Sequence, residues 1–320
     1  MIRPTHSALA VVLAIATLAF PPARAQEAPA AGRPRLVGLA DIALYVHDLD
    51  RSRAFYRDFL GFDEAFSMPP RPDGSVELVW FKVNDRQMIE LFPHKETNTD
   101  RLDKISFQTD DAEAMRLYLK AKGVAVPEKA KTGMSGSSHF IVKDPDGHNV
   151  EFIQYLPEGW ITRDAGKHLP DTRISVRMSH AGIMVHNLDA SLKFYRDLLG
   201  FRETWRGSKG GIVLDWVNLA VPDGSDYVEL MLYSTMPPLA RINGMHHLCL
   251  EVQDVAKAAE ILNGRPMPAE SKPSSHIAIG VNGKRQINYY DPDGTRVEVM
   301  EAATFDGKPV PSSKAPPPGG

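Results

Sequence analysis

The chain has a single cysteine among its 320 residues, Cys249, so no disulfide can form within it. It has no block of lysine and arginine, and its formal net charge is −3 at pH 7. This charge gives no basic field for nucleic acid, which we exclude as a partner. No apolar run reaches the roughly 20 residues that a membrane-spanning helix needs. With 43% hydrophobic and 24% charged residues, the composition is typical of a soluble globular protein of about two domains.

The N-terminal segment has the pattern of a secretory signal. Arg3 and His6 come first, an apolar run extends from Ala8 to Phe20, and Ala-Arg-Ala follows at 23–25. We therefore predict a signal peptide at 1–25 and an exported protein, periplasmic or secreted, with no membrane association after cleavage. The alternative is an uncleaved membrane anchor.

The rest of the chain contains an internal repeat. DIALYVHDLDRSRAFYRDFLGF, which begins at Asp41, reappears as HAGIMVHNLDASLKFYRDLLGF from His180, an offset of 139 residues. The motif DPDGHNVEF at Asp144 likewise corresponds to DPDGTRVEV at Asp291. Such self-similarity predicts two copies of one structural unit.

Each copy is predicted to contain two βαβββ units, so the fold class is α+β with four βαβββ modules in two domains. Asp48 and Asn187 stand at the N-cap positions of amphipathic stretches that end at Gly61 and Gly200. The predicted boundaries are a disordered leader at 26–36, domains at 37–156 and 174–303, a linker at 157–173 and a disordered tail at 304–320.

Four strands of the second copy each carry one metal-binding side chain opposite their apolar side chains. Strand side chains alternate between two faces, so these four groups point away from the packed face: His180, Glu229, His247 and Glu298. If the strands share one sheet, the four groups converge. Two imidazoles and two carboxylates suit one divalent ion, such as Fe, Mn, Ni, Co or Zn.

The opening motif H-x-x-x-x-V-x-(D/N)-L and the closing motif DPDG-x-x-x-E resemble the vicinal oxygen chelate superfamily in its two-domain form. This superfamily includes glyoxalase I, extradiol dioxygenases and bleomycin-binding proteins, and the resemblance covers nearly everything between Val37 and Ala303. It implies that paired βαβββ units curl into two half-open barrels, with a divalent metal on the inner surface. The ligand positions that it implies match the four side chains just named.

The first copy departs from this pattern. Its equivalent positions are Asp41, Glu90, Lys104 and Glu151, and a protonated lysine has no lone pair to offer a metal. We therefore expect a metal-free ion-pair cluster there, in a domain that serves as a scaffold or as one wall of the substrate cavity. A swapped arrangement would place Asp41 and Glu90 with His247 and Glu298, and His180 and Glu229 with Lys104 and Glu151. We favour pairing within each copy, because a lysine is easier to place in a site that has already lost its function.

The function favoured by the residues and the resemblance is a glyoxalase I-like lyase or isomerase. Its small-molecule substrate would be chelated through two adjacent oxygens, and Glu298 or Glu229 would move a proton as general base. His276 is a further acid–base candidate.

One alternative is an extradiol, ring-cleaving dioxygenase that uses His180, His247 and Glu298 to hold Fe(II). The resemblance implies a catalytic tyrosine for such an enzyme, and Asn288 stands at that position. A second alternative is a metal-free small-molecule binding or resistance protein. The oligomeric state stays open, with a homodimer as one alternative.

Overall fold

A computed structural model describes residues 32–319 except 97–99, 239–241, 243 and 275. The predicted signal peptide and most of the predicted leader lie outside these residues. Within them, no helix is long and apolar enough to cross a membrane.

The first repeat forms one eight-stranded sheet in the order β2-β3-β4-β1-β5-β8-β7-β6. Its strands are β1 Leu36–Val46, β2 Glu64–Ser67, β3 Val79–Asn84, β4 Gln87–Pro93, β5 Leu102–Thr109, β6 Lys131–Thr132, β7 Ser138–Lys143 and β8 Asn149–Gln154. Its helices are α1 Leu49–Arg53, which continues as a π-helix over Ala54–Phe59, and α2 Ala112–Ala121. We call this unit the first barrel.

The second repeat forms a nine-stranded sheet in the order β10-β11-β12-β9-β13-β17-β16-β14, with β15 paired to β16. Its strands are β9 Met178–Val185, β10 Arg202–Gly207, β11 Trp216–Ala220, β12 Tyr227–Leu232, β13 His247–Val252, β14 Lys272–Pro273, β15 Ala278–Ile279, β16 Lys284–Tyr290 and β17 Arg296–Thr304. A short helix α3 Trp160–Arg163 precedes it, and its own helices are α4 Leu188–Leu192, continued as a π-helix over Lys193–Leu198, and α5 Val255–Asn263. We call this unit the second barrel. The predicted α+β class with four βαβββ modules is confirmed.

The first helix of each barrel begins and ends where the sequence predicts. Asp48 accepts hydrogen bonds from the backbone of Asp50 and Arg51, and Asn187 accepts one from Ala190. Gly61 and Gly200 have φ values of 84° and 79°, a conformation that glycine adopts without a steric cost. The π-helical second half of both helices was not predicted, because hydrophobic periodicity does not separate α from π turns.

The two barrels are joined through the residues of their repeated motifs. Tyr56 of the first FYRD segment donates to Asp291 of the second DPDG turn at 3.0 Å, and Tyr195 donates to Asp144 at 2.9 Å. A single hydrophobic core includes residues of both barrels, among them the edge-to-face pair Phe107 and Phe201 with ring centroids 5.1 Å apart. The repeated motifs therefore serve the junction between the barrels.

Three predicted boundary segments are more ordered than composition suggests. In the leader, Leu36 already belongs to β1 and Arg33 forms an ion pair with Asp223 at 3.0 Å. The linker contains α3, whose Trp160 is buried. The tail makes backbone hydrogen bonds to the second barrel, described below. Proline- and glycine-rich composition removes helix and strand propensity, but it does not prevent a segment from pairing with an exposed edge.

Candidate metal centre

Four neighbouring strands of the second barrel bring the predicted ligands together. β9 lies between β12 and β13, and β17 pairs with the other side of β13. His180 therefore stands beside the strands that carry Glu229 and His247, with Glu298 one strand further. The pairing is within one repeat, as we favoured from the sequence.

The donor atoms of these side chains cluster tightly. His180 Nε2 lies 3.0 Å from His247 Nε2 and 3.2 Å from Glu298 Oε2. His247 Nε2 lies 3.7 Å from both Glu229 Oε1 and Glu298 Oε2. All four side chains are buried.

The spacing and chemistry of this cluster fit a divalent ion. Donor atoms bonded to one ion at about 2.1 Å lie about 3.0 Å apart at right angles and about 3.4 Å apart in a tetrahedron. The separations of 3.0 and 3.2 Å from His180 fall in this range, and the two contacts of 3.7 Å from His247 are about 0.3 Å longer. His247 Nδ1 can donate to the Met245 carbonyl at 2.8 Å, which leaves Nε2 as the lone-pair donor. Two carboxylates buried with two imidazoles would be costly without a cation between them.

The electrostatic environment shifts the pKa values of the two carboxylates in opposite directions. Burial raises the pKa of Glu229; the Glu298 charge adds to this rise and His180 opposes it. Burial would also raise the pKa of Glu298, but the hydrogen bond and charge of His180 hold it below its usual value. Burial and the nearby Arg296 charge hold the pKa of His247 well below its usual range, so its imidazole is neutral, the form that binds metals.

Gly182 is a site residue that the sequence analysis missed. A Cβ added there would lie 1.9 Å from Cε1 of His247, so the imidazole occupies the space above this glycine. The first repeat has Ala43 at the equivalent position, in register with Lys104. In a single sequence, a glycine on the strand next to a histidine is a weak signal. The difference between Gly182 and Ala43 in the two repeats could have drawn attention to it.

Cys249 lies next to the cluster but is a poor ligand. It is fully buried, and its sulfur lies within reach of His180 and Glu298. Burial raises the pKa of the thiol well above its usual value, so without a cation beside it the thiol is protonated.

A small cavity of about 70 Å³ opens beside the ligand cluster. Its walls come from the second barrel only: Trp205, Trp216, Glu229, Gly280, Val281, Asn282, Gln286, Arg296 and Glu298. The first barrel thus contributes no described residue to this lining, which corrects the expectation that it could be one wall of the cavity. A larger, open cleft of about 860 Å³ lies between Arg35, Arg86 and Asp226, but the ligand cluster does not border it.

Two further residues named in the sequence analysis are not among the described residues that line the small cavity. His276 is exposed in the segment between β14 and β15 and is not among the described residues that line the cavity. Asn288 pairs in register with Glu298 across β16 and β17, and its Oδ1 is buried without a hydrogen-bond partner in the described part of the chain. The acid–base role of His276 therefore stays a prediction.

The first barrel holds an ion-pair cluster in the equivalent place. Lys104 Nζ lies 3.1 Å from Asp41, 2.7 Å from Glu90 and 3.1 Å from Glu151. Ser106 bridges Asp41 and Glu151 at 2.5 and 2.6 Å. Burial raises the pKa of Glu90 to about 8, whereas the Lys104 charge outweighs burial and lowers that of Glu151 to about 2. The arrangement is the ion-pair cluster expected from the lysine.

Comparison with known proteins identifies the family. The model described as Glyoxalase/Bleomycin resistance protein/Dioxygenase superfamily matches residues 38–152 and 177–299, one segment for each barrel. The chain belongs to this superfamily. The resemblance inferred from the repeated motifs is thereby confirmed.

Relatives of this superfamily member include two different enzyme types. The manganese-dependent 2,3-dihydroxybiphenyl 1,2-dioxygenase of Geobacillus genomosp. 3 is 26% identical over 282 residues, which cover 81% of this chain and 83% of that protein. Lactoylglutathione lyase GLX1 of Arabidopsis thaliana is 23% identical over 287 residues, covering 81% and 90%. The crystal structure of the 2,3-dioxygenase LapB from Pseudomonas sp. KL28 has a TM-score of 0.65 at 17% identity, covering 88% and 98%. The last similarity shows the fold, and the three together do not select a reaction.

Proposed function

We propose that the second barrel of this protein is the active site of a divalent-metal-dependent lyase or isomerase of the glyoxalase type. The substrate is a small molecule that chelates the metal through two adjacent oxygens. The observation that carries the proposal is the buried cluster of His180, Glu229, His247 and Glu298, in which a second carboxylate accompanies the two-histidine, one-carboxylate set. His180, His247, Glu298 and Glu229 are the proposed ligands.

A bound divalent ion would polarise a substrate carbonyl and make the adjacent C–H bond more acidic. Glu298 contacts both histidines and keeps its charge, so its role is to hold the site. Glu229 has only the longer contact of 3.7 Å to His247 and lines the cavity, which suits a group that takes and returns a proton. Trp205 and Trp216 line the same cavity and give it apolar surface beside the proposed ligands.

The second candidate is an extradiol dioxygenase. The LapB fold and the dihydroxybiphenyl dioxygenase relative favour it. Against it, Asn288 stands in register with Glu298 where the family resemblance implies a tyrosine. The described residues lining the cavity also include no histidine or tyrosine to shuttle a proton. A metal-free binding protein remains the third candidate, and the first barrel has the features of one.

The metal requirement is tested by metal analysis after reconstitution with Mn²⁺, Fe²⁺, Ni²⁺, Co²⁺ or Zn²⁺. We expect about one ion per chain and a Glu298→Gln variant with at least about tenfold weaker metal affinity. The matched control is Glu151→Gln, the same substitution at the equivalent position of the first barrel, which should leave metal binding unchanged. Equal metal content in both variants would place the ion elsewhere, and metal-free wild-type protein would leave only the binding protein.

The reaction class is tested with the reconstituted protein. A lyase or isomerase should exchange the proton on the carbon next to a chelated carbonyl, which NMR in deuterium oxide detects, and Glu229→Gln should abolish the exchange. Oxygen uptake with a catechol panel under Fe²⁺, lost in His247→Ala, would instead establish the dioxygenase. We further propose that the protein is exported, as the pattern at 1–25 suggests; fractionation of the native host would test this.

A further inference from the structure

Arg296 is a half-buried cation that forms no direct ion pair in the described part of the chain. It is the first residue of β17 and points to the same face as Glu298, two residues later. Its Nη2 lies 3.2 Å from His247 Nε2, 3.4 Å from the Met245 carbonyl and 3.7 Å from Met231 Sδ, all of them uncharged. Across the described chain, no carboxylate oxygen lies within the 4.0 Å of an ion pair with this guanidinium. Its Nε is buried and has no hydrogen-bond partner.

The contact between Arg296 and His247 does not neutralise the charge of the arginine. Nη2 lies 2.5 Å from His247 Nδ1, and that nitrogen is also 2.8 Å from the Met245 carbonyl. If Nδ1 carries the proton that it donates to Met245, it cannot accept a hydrogen bond from Arg296. An arginine always carries its charge in proteins, and the nearby charges of Glu298 and Glu229 act on it from beyond ion-pair distance. The guanidinium beside the proposed metal position is therefore free to form a direct ion pair with an anion that enters the site.

A second unsatisfied donor borders the same cavity. Trp205 Nε1 is buried and has no hydrogen-bond partner among the described residues, and Trp205 and Arg296 both line the cavity of about 70 Å³. Since about 10–15 Å³ of such space holds one water, the cavity admits a group of a few heavy atoms. Trp216 lines the same cavity. Two donors and a positive charge beside a small space fit a carboxylate.

The first repeat provides an internal comparison. The residue equivalent to Arg296 is Asn149, which is neutral and donates to the backbone carbonyl of Asp103 at 2.8 Å. A cation thus occupies this position of the closing motif only in the second barrel, whereas the first barrel has its cation, Lys104, on a different strand. This correspondence connects Arg296 to the substrate of that site, because a role in holding the fold would apply to both barrels.

We propose that Arg296 and Trp205 bind a carboxylate of the substrate, so that the substrate is a small 2-oxo or 2-hydroxy carboxylate. The idea that two adjacent substrate oxygens chelate the metal rests on the function proposed above. Carboxylate binding itself rests only on Arg296 and Trp205, and it takes place in metal-free protein. Arg296 is a binding residue in this scheme and moves no proton.

The test uses full-length, metal-free protein dialysed free of chelator. Tryptophan fluorescence and calorimetry measure the binding of pyruvate and of butane-2,3-dione, a neutral diketone of similar size. We expect pyruvate to bind at least about tenfold more tightly, and Arg296→Gln to remove that preference while Arg296→Lys keeps part of it. The matched control is Arg285→Gln, which alters an exposed arginine on the neighbouring strand and should leave the preference intact.

Equal binding of the two compounds, or a preference that survives in Arg296→Gln, would overturn the proposal. Thermal unfolding of each variant shows whether a lost preference for pyruvate reflects misfolding. If Arg296→Lys keeps part of the preference, the role of the positive charge is established even where Arg296→Gln does not fold. If metal-loaded protein shows no turnover but metal-free protein keeps the Arg296-dependent preference, the proposed function fails and the carboxylate site stands.

Discussion

At the scale of single residues, the two DPDG turns show how one neighbour changes the properties of a buried carboxylate. Asp144 accepts hydrogen bonds from Tyr195 and from the side chain of His148 at 2.8 Å. In the second repeat the position of His148 is taken by Thr295, so Asp291 accepts from Tyr56 and two backbone amides but has no cationic partner in the described structure. Burial, reinforced by the Asp293 charge, raises the pKa of Asp291 to about 7.

We expect Asp291→Asn to stabilise the protein at pH 8. The pKa of Asp291 is about 7 in the folded protein and 3.8 ordinarily, so the folded state binds the proton more tightly than the unfolded state. Wild-type stability therefore falls as the pH rises from about 4 through about 7, and the asparagine variant lacks this loss. Chemical denaturation should show an unfolding free energy higher by about 1–3 kcal/mol at pH 8 and little difference at pH 4.

The matched variant Asp144→Asn should behave in the opposite way. Burial would raise the pKa of Asp144, but the hydrogen bond and charge of His148 outweigh it and hold that pKa below its usual value. The ionised form therefore stabilises the folded state at neutral pH, and this stability is lost as the pH falls. Asp144→Asn should be destabilised at pH 8. If both variants shift the unfolding free energy in the same direction, the explanation by the His148 and Thr295 difference is wrong.

At the scale of elements, the C-terminal tail covers an exposed sheet edge. β10 is the outermost strand of the second sheet, and such strands offer unpaired backbone groups to other chains. The backbone N–H of Ser313 donates to the Arg206 carbonyl at 2.9 Å, and that of Leu214 donates to Pro316 at 2.8 Å. Earlier in the tail, Val310 packs against Gly283, where a Cβ would lie 2.6 Å from its side chain. The tail is therefore a part of the second barrel.

Deletion of residues 309–320 should destabilise the protein and expose β10. The loss of a few backbone hydrogen bonds, each contributing about 1 kcal/mol, predicts a decrease of about 1–3 kcal/mol in the free energy of unfolding. Thermal unfolding and size-exclusion chromatography should show a lower midpoint and more self-association. The control is Ser312→Ala, which removes only one side-chain acceptor, for the Arg206 amide at 3.3 Å. A truncated protein that matches wild type in both measurements would show that the tail does not protect this edge.

At the scale of the whole molecule, the two barrels share one core. Phe107 packs against Phe201 across the junction, and Phe59 packs against Tyr289 with ring centroids 5.3 Å apart. The Tyr56–Asp291 and Tyr195–Asp144 hydrogen bonds join the barrels on both sides. Neither barrel can therefore unfold without exposing apolar surface of the other.

We expect a single cooperative unfolding transition that includes both barrels and moves as a whole when metal binds. At a free-metal concentration of about 100 times Kd, binding adds about 2.7 kcal/mol, or several degrees in Tm for a chain of this size. Differential scanning calorimetry with and without Mn²⁺ measures the shift, and His247→Ala should show none. Two resolved transitions, of which only one responds to metal, would show that the barrels unfold independently.

The amino-acid sequence by itself determined the repeat, the βαβββ order and the four ligand positions of the second barrel. These follow from local physics, because alternation of side chains along a strand and N-cap chemistry depend on near neighbours in the chain. The lysine of the first barrel was also informative alone, since no pairing of strands turns a protonated amine into a ligand. The sequence further indicated the family through motifs that recur at one spacing.

Only the tertiary structure decided which strands share a sheet, that Gly182 leaves room for His247, and that the first barrel does not line the cavity of the second. It also showed that Arg296 faces the ligand cluster with no direct ion pair to a described residue, and that the tail pairs with β10. Each of these facts depends on contacts between residues far apart in the chain. Local propensity does not encode them, because strand register and the burial of a charge are properties of the packed molecule.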